Sequence, residues 1–188
     1  SITTVVLGIV SLVVTVSRAA IAAGIFSAFL LLQKKWFFWI LLILILVSPF
    51  LYPRFSSILN FDNLTVLRRE ELSERAFQMW AQSPVFGVGL NNFILATSGS
   101  LVIGPSRFLQ PVHNIFLLTL AETGILGLLG FLGLIGYAMI RVLKVKTLLI
   151  CWIVIIFLGM FDHYFLTLPQ GYRLFFLIWG ISLIVLKK

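Results

Sequence analysis

Long apolar segments separated by short charged breaks dominate this sequence. There are six of them, at about 2–16, 18–32, 36–52, 112–140, 147–161 and 171–186. Several approach the ~20 apolar residues that an α-helix needs to cross a bilayer. Only 11% of the residues are charged, whereas a soluble domain carries about 25%. The pattern predicts an all-α, polytopic membrane protein with about six transmembrane helices.

The positions of the basic residues predict the orientation of these segments. If Lys34 and Lys35 are cytoplasmic and each segment crosses once, the short inner loops hold seven basic residues and the short outer loops hold two, Arg18 and Arg173. This distribution agrees with the positive-inside rule. The net charge of +8 therefore reflects membrane topology, and no basic stripe with interleaved aromatics indicates nucleic-acid binding.

This topology divides the chain into three parts. The first transmembrane helices occupy 1–52, a large extracytoplasmic loop occupies 53–111, and the C-terminal transmembrane helices occupy 112–188. We interpret them as one membrane domain. Because the chain has no initiator Met and opens directly on an apolar segment, we expect a fragment of a longer protein. Whether residues 1–32 form one helix or two is left open by the pattern, since no Gly or Pro marks a turn at Ser17-Arg18.

The extracytoplasmic loop concentrates the polar residues. It contains four of the six acidic residues and five of the eight arginines, and all six lysines fall on the opposite side. Arginine binds phosphate through two parallel hydrogen bonds and keeps its charge, so an arginine-rich outer face suits a phosphate-bearing ligand. The alternative is that the arginines pair with the glutamates of the same loop. The candidate ligand-binding arginines of the loop are Arg68, Arg69, Arg75 and Arg107.

Two local patterns predict structure inside the loop. Leu72, Ala76 and Trp80 recur at helical spacing, which predicts an amphipathic helix over Thr65 to Ala81. Beyond it, Gly87 and Gly89 predict a tight turn or a close backbone approach.

Four further positions are candidates for chemistry, each with a structural alternative. Arg18 stands at membrane depth, which indicates function or a side chain that snorkels to the interface. His113 precedes the fourth segment and is either a catalytic histidine or a helix cap. Glu122 needs a partner, for which Arg18 is the natural candidate, or a proton. His163, next to Asp162, either caps the last outer turn or supports the site.

With these residues in place, the chain resembles the C-terminal half of the O-antigen ligase and polymerase superfamily of bacterial membrane glycosyltransferases. The resemblance is carried by Ser17-Arg18, by Arg69-Glu70-Glu71-Leu72, by the Ser83 to Phe93 turn, by His113-Asn114 and by Ala121 to Gly127. Members of this superfamily typically have ten or more membrane helices, so a missing N-terminal half is expected.

The resemblance implies an activity, a location and a site. A glycan would be transferred from a polyprenyl-diphosphate carrier to an acceptor lipid, growing polysaccharide or protein, at the outer face of the bacterial inner membrane and without metal or cofactor. Arg18 and Arg69 would hold the diphosphate, and His113 would be the general base. The other substrate-binding candidates are Arg68, Arg75, Arg107, Asn114, Glu122 and His163. The doubled arginine leaves the Arg68 and Arg69 assignment open by one residue.

Two other classes of function compete with a transferase. A membrane transporter or flippase should place polar residues midway along several helices, whereas the polar positions here collect at one face. A structural subunit would only pack against a catalytic partner.

Overall fold

The protein is all-helical over the residues that its structure, a computed structural model, describes: 18–31, 45–46, 48–49, 52, 64–98 and 109–184. The prediction of an all-α chain is thereby confirmed at this level. The helices are α1 (Arg18–Leu31), α2 (Leu64–Gln82), α3 (Phe93–Thr97), α4 (Ile115–Val142), α5 (Lys146–Gly159), α6 (Tyr164–Thr167) and α7 (Pro169–Ile184). The first predicted segment and most of the third lie outside the described ranges.

The chain separates into two compact units, Ser1–Asn63 and Leu64–Lys188. In the first unit, α1 begins at Arg18 and buries Ile21 and Ala23. What precedes α1 is outside the described residues, so the choice between one and two helices over 1–32 stays open. In the second unit, α2 packs against α4, so this part of the polar segment shares a core with the C-terminal helices.

One helix in the described ranges, α4, is long and apolar enough to cross a membrane. Only 28% of its most apolar window is buried inside the protein, which is unlike the core helix of a soluble domain. Its outward-facing residues include Leu126, Leu129 and Leu132. An apolar surface of this kind is suited to contact with lipid.

Helix α4 is broken at Gly124, where the backbone adopts φ 66° and ψ −167°. The sequence pattern predicted an unbroken segment here. The break leaves carbonyls above it and amides below it without partners inside the helix, and buried backbone groups need partners. The turn after α2 supplies them: Val88 and Gly89 donate to the carbonyls of Ala121 and Glu122 at 3.0 and 2.9 Å.

The same turn also accepts hydrogen bonds from α4 below the break. The amides of Ile125 and Leu126 donate to the carbonyls of Pro84 and Val85 at 2.9 and 3.4 Å. A Cβ on Gly87 would overlap the backbone at Glu122. The sequence prediction of a close backbone approach at this glycine is thus confirmed.

The amphipathic helix predicted over Thr65 to Ala81 is observed as α2, Leu64–Gln82. Its buried stripe is Leu72, Ala76 and Met79. The stripe packs into a cluster with four residues of α3, α4 and the segment before α4, namely Phe93, Val112, Leu118 and Ala121. This packing places α2 alongside the upper part of α4, above Gly124.

Candidate active site

The site lies where the start of α4 meets the turn between α5 and α6. The Asn114 side chain caps α4 by accepting from the amides of Phe116 and Leu117 at 2.9 and 3.0 Å. Its amide nitrogen donates to the carbonyl of Met160 at 3.3 Å. Asn114 thereby joins the two segments, and both the oxygen and the nitrogen of its side-chain amide are hydrogen-bonded.

The Asn114 tie brings two histidines from different segments together. The rings of His113 and His163 lie 5.1 Å apart, edge to face. Both side chains are half-buried. Nδ1 of His113 is buried and accepts or donates no hydrogen bond among the described residues.

His163 contacts Thr167 in α6. The Thr167 hydroxyl lies 2.7 Å from Nδ1 of His163 and 3.1 Å from the His163 carbonyl. Its single hydrogen can go to either acceptor, so Nδ1 donates in one tautomer of the ring and accepts in the other. Thr167 was missed by the sequence reasoning, although its spacing of four residues from His163 is a helical-neighbour signal.

Asp162 completes the turn at the site. Its Oδ1 accepts from the backbone amide of His163 at 2.8 Å. The expected role of His163 as a side-chain cap is not observed, because it occupies the N-cap of α6 without a side-chain capping bond.

Arg69 reaches this cluster electrostatically from α2. It lies three residues before Leu72 and seven before Ala76, so it is on the same side of α2 as the buried stripe, although Arg69 itself is exposed. Its guanidinium lowers the pKa of both His113 and His163. No such effect on either histidine comes from Arg68, so the electrostatics favour Arg69 of the doubled pair.

His113 is neutral at physiological pH in this environment. Burial, the Arg69 charge and His163 together lower its pKa to about 4, against a smaller opposing effect of Asp162. Burial likewise lowers the pKa of His163. Burial and the nearby Asp162 raise the pKa of Tyr164 to about 12. The site therefore combines two neutral imidazoles with one exposed guanidinium.

His113, Asp162 and His163 are of the ligand types that hold divalent metals, and one ligand atom from each lies within 4.8 Å of the others. A tetrahedral ion with bonds of ~2.1 Å needs ligand atoms about 3.4 Å apart. Two of the three residues already use side-chain atoms, in the Asp162 bond to an amide and the His163 bond to Thr167. The arrangement by itself does not assign a metal role.

Of the remaining predicted arginines, two lie on α2 and are described, and two have side chains that the structure does not describe. Arg75 lies 4.0 Å from the carboxylate of Glu71 and 3.5 Å from Gln78, which is the pairing alternative raised for the loop arginines. Arg68 is half-buried near the start of α2. The side chain of Arg18 and all of Arg107 fall outside what the structure describes.

Glu122 is buried, and its Oε1 accepts from the amide of Phe93 at 3.1 Å. Phe93 is the first residue of α3, so the carboxylate fixes the beginning of that helix against α4. The partner expected from the sequence was an arginine such as Arg18. Within the described part of the chain, the hydrogen-bond partner of this carboxylate is a backbone amide.

Replacing Glu122 should separate a structural role from a chemical one. Glu122→Gln keeps an oxygen that accepts from Phe93, so we expect turnover within about threefold of wild type and an almost unchanged melting temperature. Glu122→Ala leaves the buried amide unpaired, at a cost of about 1–3 kcal/mol. Thermal unfolding and turnover of both variants check this. A large loss of turnover in a well-folded Glu122→Gln protein would assign Glu122 to the chemistry instead.

Comparison with known proteins supplies the family. The sequence profile of the family described as O-Antigen ligase matches residues 3–132, which is more than half of the chain. No curated protein and no solved structure gives a significant match. The matched range includes α2, the turn at Gly87, His113 and the break at Gly124. Proteins of this family are inner-membrane enzymes of glycosyltransferase type. The chain belongs to the O-antigen ligase family.

Proposed function

We propose that this protein transfers a glycan from a polyprenyl-diphosphate carrier to an acceptor hydroxyl at the outer face of the inner membrane, without a metal ion. His113 acts as the general base, and Arg69 and Arg18 bind the diphosphate. The proposal rests on one observation above all. The ring of His113, just before α4, lies 5.1 Å from that of His163, and the exposed guanidinium of Arg69 on α2, 44 positions away in the sequence, lowers the pKa of His113.

The His113 imidazole and the Arg69 guanidinium have complementary roles in this reaction. In the transfer, the acceptor oxygen bonds to the anomeric carbon of the sugar while the bond from that carbon to the diphosphate breaks. The acceptor proton passes to the neutral His113 ring, and the leaving diphosphate carries away the bonding electrons. Arg69 stabilises that developing charge through the planar fork that suits phosphate.

The lowered pKa of His113 makes the strength of this base depend on whether the donor is bound. The Arg69 charge is one of the causes that hold the pKa down. A bound diphosphate offsets that charge, so the pKa of His113 rises when the donor is present. The base therefore becomes stronger in the complex that needs it, since base catalysis is most efficient when the pKa lies near the working pH.

The proposed topology follows the charge distribution. Six crossings place the loop at 53–111 and the turn carrying His163 on the extracytoplasmic side, and place Arg141 and the lysines inside. The acceptor, whether a lipid, a growing polysaccharide or a protein, approaches from the outer side, and the donor arrives in the membrane. His163, whose ring lies 5.1 Å from that of His113, orients the acceptor hydroxyl in this mechanism.

The decisive experiment is an assay of the complete protein, reconstituted in liposomes with a defined polyprenyl-diphosphate glycan. Candidate acceptors are supplied in turn, with and without EDTA. We expect glycan transfer to one acceptor class at a rate that EDTA does not change. A rate abolished by EDTA and restored by a divalent ion would overturn the metal-independent mechanism. Movement of intact donor across the membrane without transfer would favour the transporter alternative.

Arg69 and Arg75 provide a matched pair for testing the diphosphate contact, since both lie on α2 but only Arg69 acts on His113. We expect Arg69→Ala to lower turnover by about 10²–10³-fold, and Arg69→Lys to recover part of the loss because it keeps the charge and loses the fork. Arg75→Ala, which breaks a surface ion pair, should change turnover by less than about threefold. Steady-state kinetics with defined donor measure all three. Equal losses at both positions would contradict the assignment.

The pH dependence follows from the sign of the His113 shift. The pKa of His113 is about 4 in the folded protein and 6.5 in an exposed ring. The free enzyme therefore keeps its base neutral as the pH falls from 7 to 5, and kcat/KM should decline only near pH 4. Folding stability contributed by the neutral ring is complete above pH 6.5 and is lost as the pH falls towards 4. In Arg69→Ala the decline of kcat/KM should begin at higher pH, because one cause of the lowered pKa is gone.

A further inference from the structure

The segment Ser83–Ser98 differs from the rest of the polar loop. It contains no charged residue. Large apolar side chains are nevertheless exposed along it: Phe86 is 73%, Leu90 71% and Leu95 70% exposed, and Val85 and Ile94 are also open. Exposed apolar residues scattered singly are ordinary, whereas a concentrated set marks a contact surface.

Backbone contacts hold this segment at one level of α4. Val85 bonds to Leu126, Gly89 bonds to Glu122, and the Phe93 amide bonds to the Glu122 carboxylate. Together with the Val88 bond to Ala121, these contacts attach the five exposed side chains around a stretch of α4 only six residues long, 121–126. We call Ser83–Ser98, with these side chains, the apolar turn.

If the apolar span below the break crosses the bilayer, that level of α4 lies at the edge of the membrane. From Ile125 to Val142 the helix runs on below the break, and these 18 residues rise about 27 Å, close to the ~30 Å of the hydrocarbon core. Arg141 stands at the far end of this span. The exposed face of the span carries Leu126, Leu129 and Leu132, so the apolar turn continues the lipid-facing surface of α4 at its outer boundary.

We propose that the apolar turn is inserted into the outer leaflet of the membrane, between headgroups and acyl chains, and anchors α2 there. Lipid contacts the exposed side chains of the apolar turn, because their surface is continuous with that of the membrane-crossing helix and carries no charge. Insertion fixes the lower end of α2, so Arg69, 13 residues above Gln82 in the same helix, is held about 20 Å from that level. The proposal concerns membrane contact and stands independently of the transfer reaction.

The test is a spin-label accessibility measurement on the complete protein in liposomes of phosphatidylethanolamine and phosphatidylglycerol. The background is a cysteine-free variant of the complete protein that includes Cys151→Ser, and single labels are placed at Phe86→Cys and Leu90→Cys. Both positions are largely exposed, so labels there displace little packing. Glu74→Cys, exposed on α2, reports the aqueous loop, and Leu129→Cys reports lipid. Collision rates are measured with oxygen, which enters the bilayer, and with a nickel chelate, which stays in water.

We expect positions 86 and 90 to lose nickel collisions relative to position 74 while retaining oxygen collisions comparable to position 129. Nickel collisions equal to those at position 74 would place the turn in water and overturn the proposal. Shielding from both reagents would also overturn it, because a protein surface would then cover the turn. A label at Gln82→Cys, exposed at the end of α2, should give intermediate nickel collisions and so mark the boundary.

Discussion

Replacing His113 with alanine is expected to lower turnover by about 10²–10⁴-fold, the contribution typical of a general base. Donor binding should be nearly unchanged, because in the proposed mechanism the arginines hold the diphosphate. The variant should fold, since His113 precedes the capping residue Asn114 and its buried Nδ1 makes no hydrogen bond among the described residues. Binding of labelled donor and single-turnover transfer measure the two effects separately.

The matched control for this prediction is His163→Ala. It removes the neighbouring ring and its bond to Thr167 but leaves the proposed base, so we expect a smaller loss that appears mainly in the KM for the acceptor. A structural subunit would tolerate both changes equally. If His113→Ala kept full turnover while His163→Ala lost it, the base would have to be reassigned to His163.

Replacing Gly124 with alanine is expected to have the largest effect on stability of any single change in α4. Its φ of 66° and ψ of −167° lie in a region that is essentially confined to glycine, with a cost of about 1–3 kcal/mol for other residues. An added Cβ would also overlap the carbonyl of Val85. The apolar turn would have to leave α4, and α2 with Arg69 would lose its position, so turnover should fall as well.

Gly130→Ala supplies the control in the same helix. Among the described residues no atom lies within 4 Å of a Cβ built at Gly130, and Ala is preferred over Gly in a helix by about 0.5–1 kcal/mol. The two substitutions should therefore shift the melting temperature in opposite directions. Thermal unfolding in detergent or nanodiscs measures both. A Gly124→Ala protein as stable as wild type would show that the break in α4 is not required.

The fold could be predicted from sequence where the pattern is local. The helix predicted at 65–81 was found at Leu64–Gln82, because its apolar spacing of three and four residues dictates which face is buried. Helices at 115–142, 146–159 and 169–184 match long apolar runs for the same reason. The number of crossings and the side of the membrane stay predictions.

The contacts between distant segments could not be predicted in this way. Gly124 is one of several glycines at every third position of the fourth apolar segment, and nothing in that repeat distinguishes the one that breaks the helix. Gly124 is the glycine that breaks the helix because the turn at Pro84–Gly89, far away in the sequence, supplies hydrogen bonds there. Glu122 shows the same limit, because its acid group did not indicate a bond to the backbone amide of Phe93, 29 positions away. The predicted pairing with Arg18 stays a prediction, since that side chain lies outside the described residues.

The candidate site also combines residues that the sequence identified with contacts that it could not predict. Arg69 and His113 were identified through family resemblance, and their proximity depends on the packing of α2 against α4. The contact of His163 with His113 could not be derived from its adjacency to Asp162, because it joins segments 50 positions apart in the sequence. It arises because Asn114 joins the start of α4 to the end of α5.

The exchange of hydrogen bonds at Gly124 also bears on biogenesis. Residues 84–89 are translated before α4, so the groups that complete the broken helix already exist when it emerges. Without them, the chain would satisfy its own backbone by straightening into one rod of about 42 Å, too long for the bilayer and with His113 displaced. The order of synthesis thus favours the bent form over a straight competitor that the same residues could adopt.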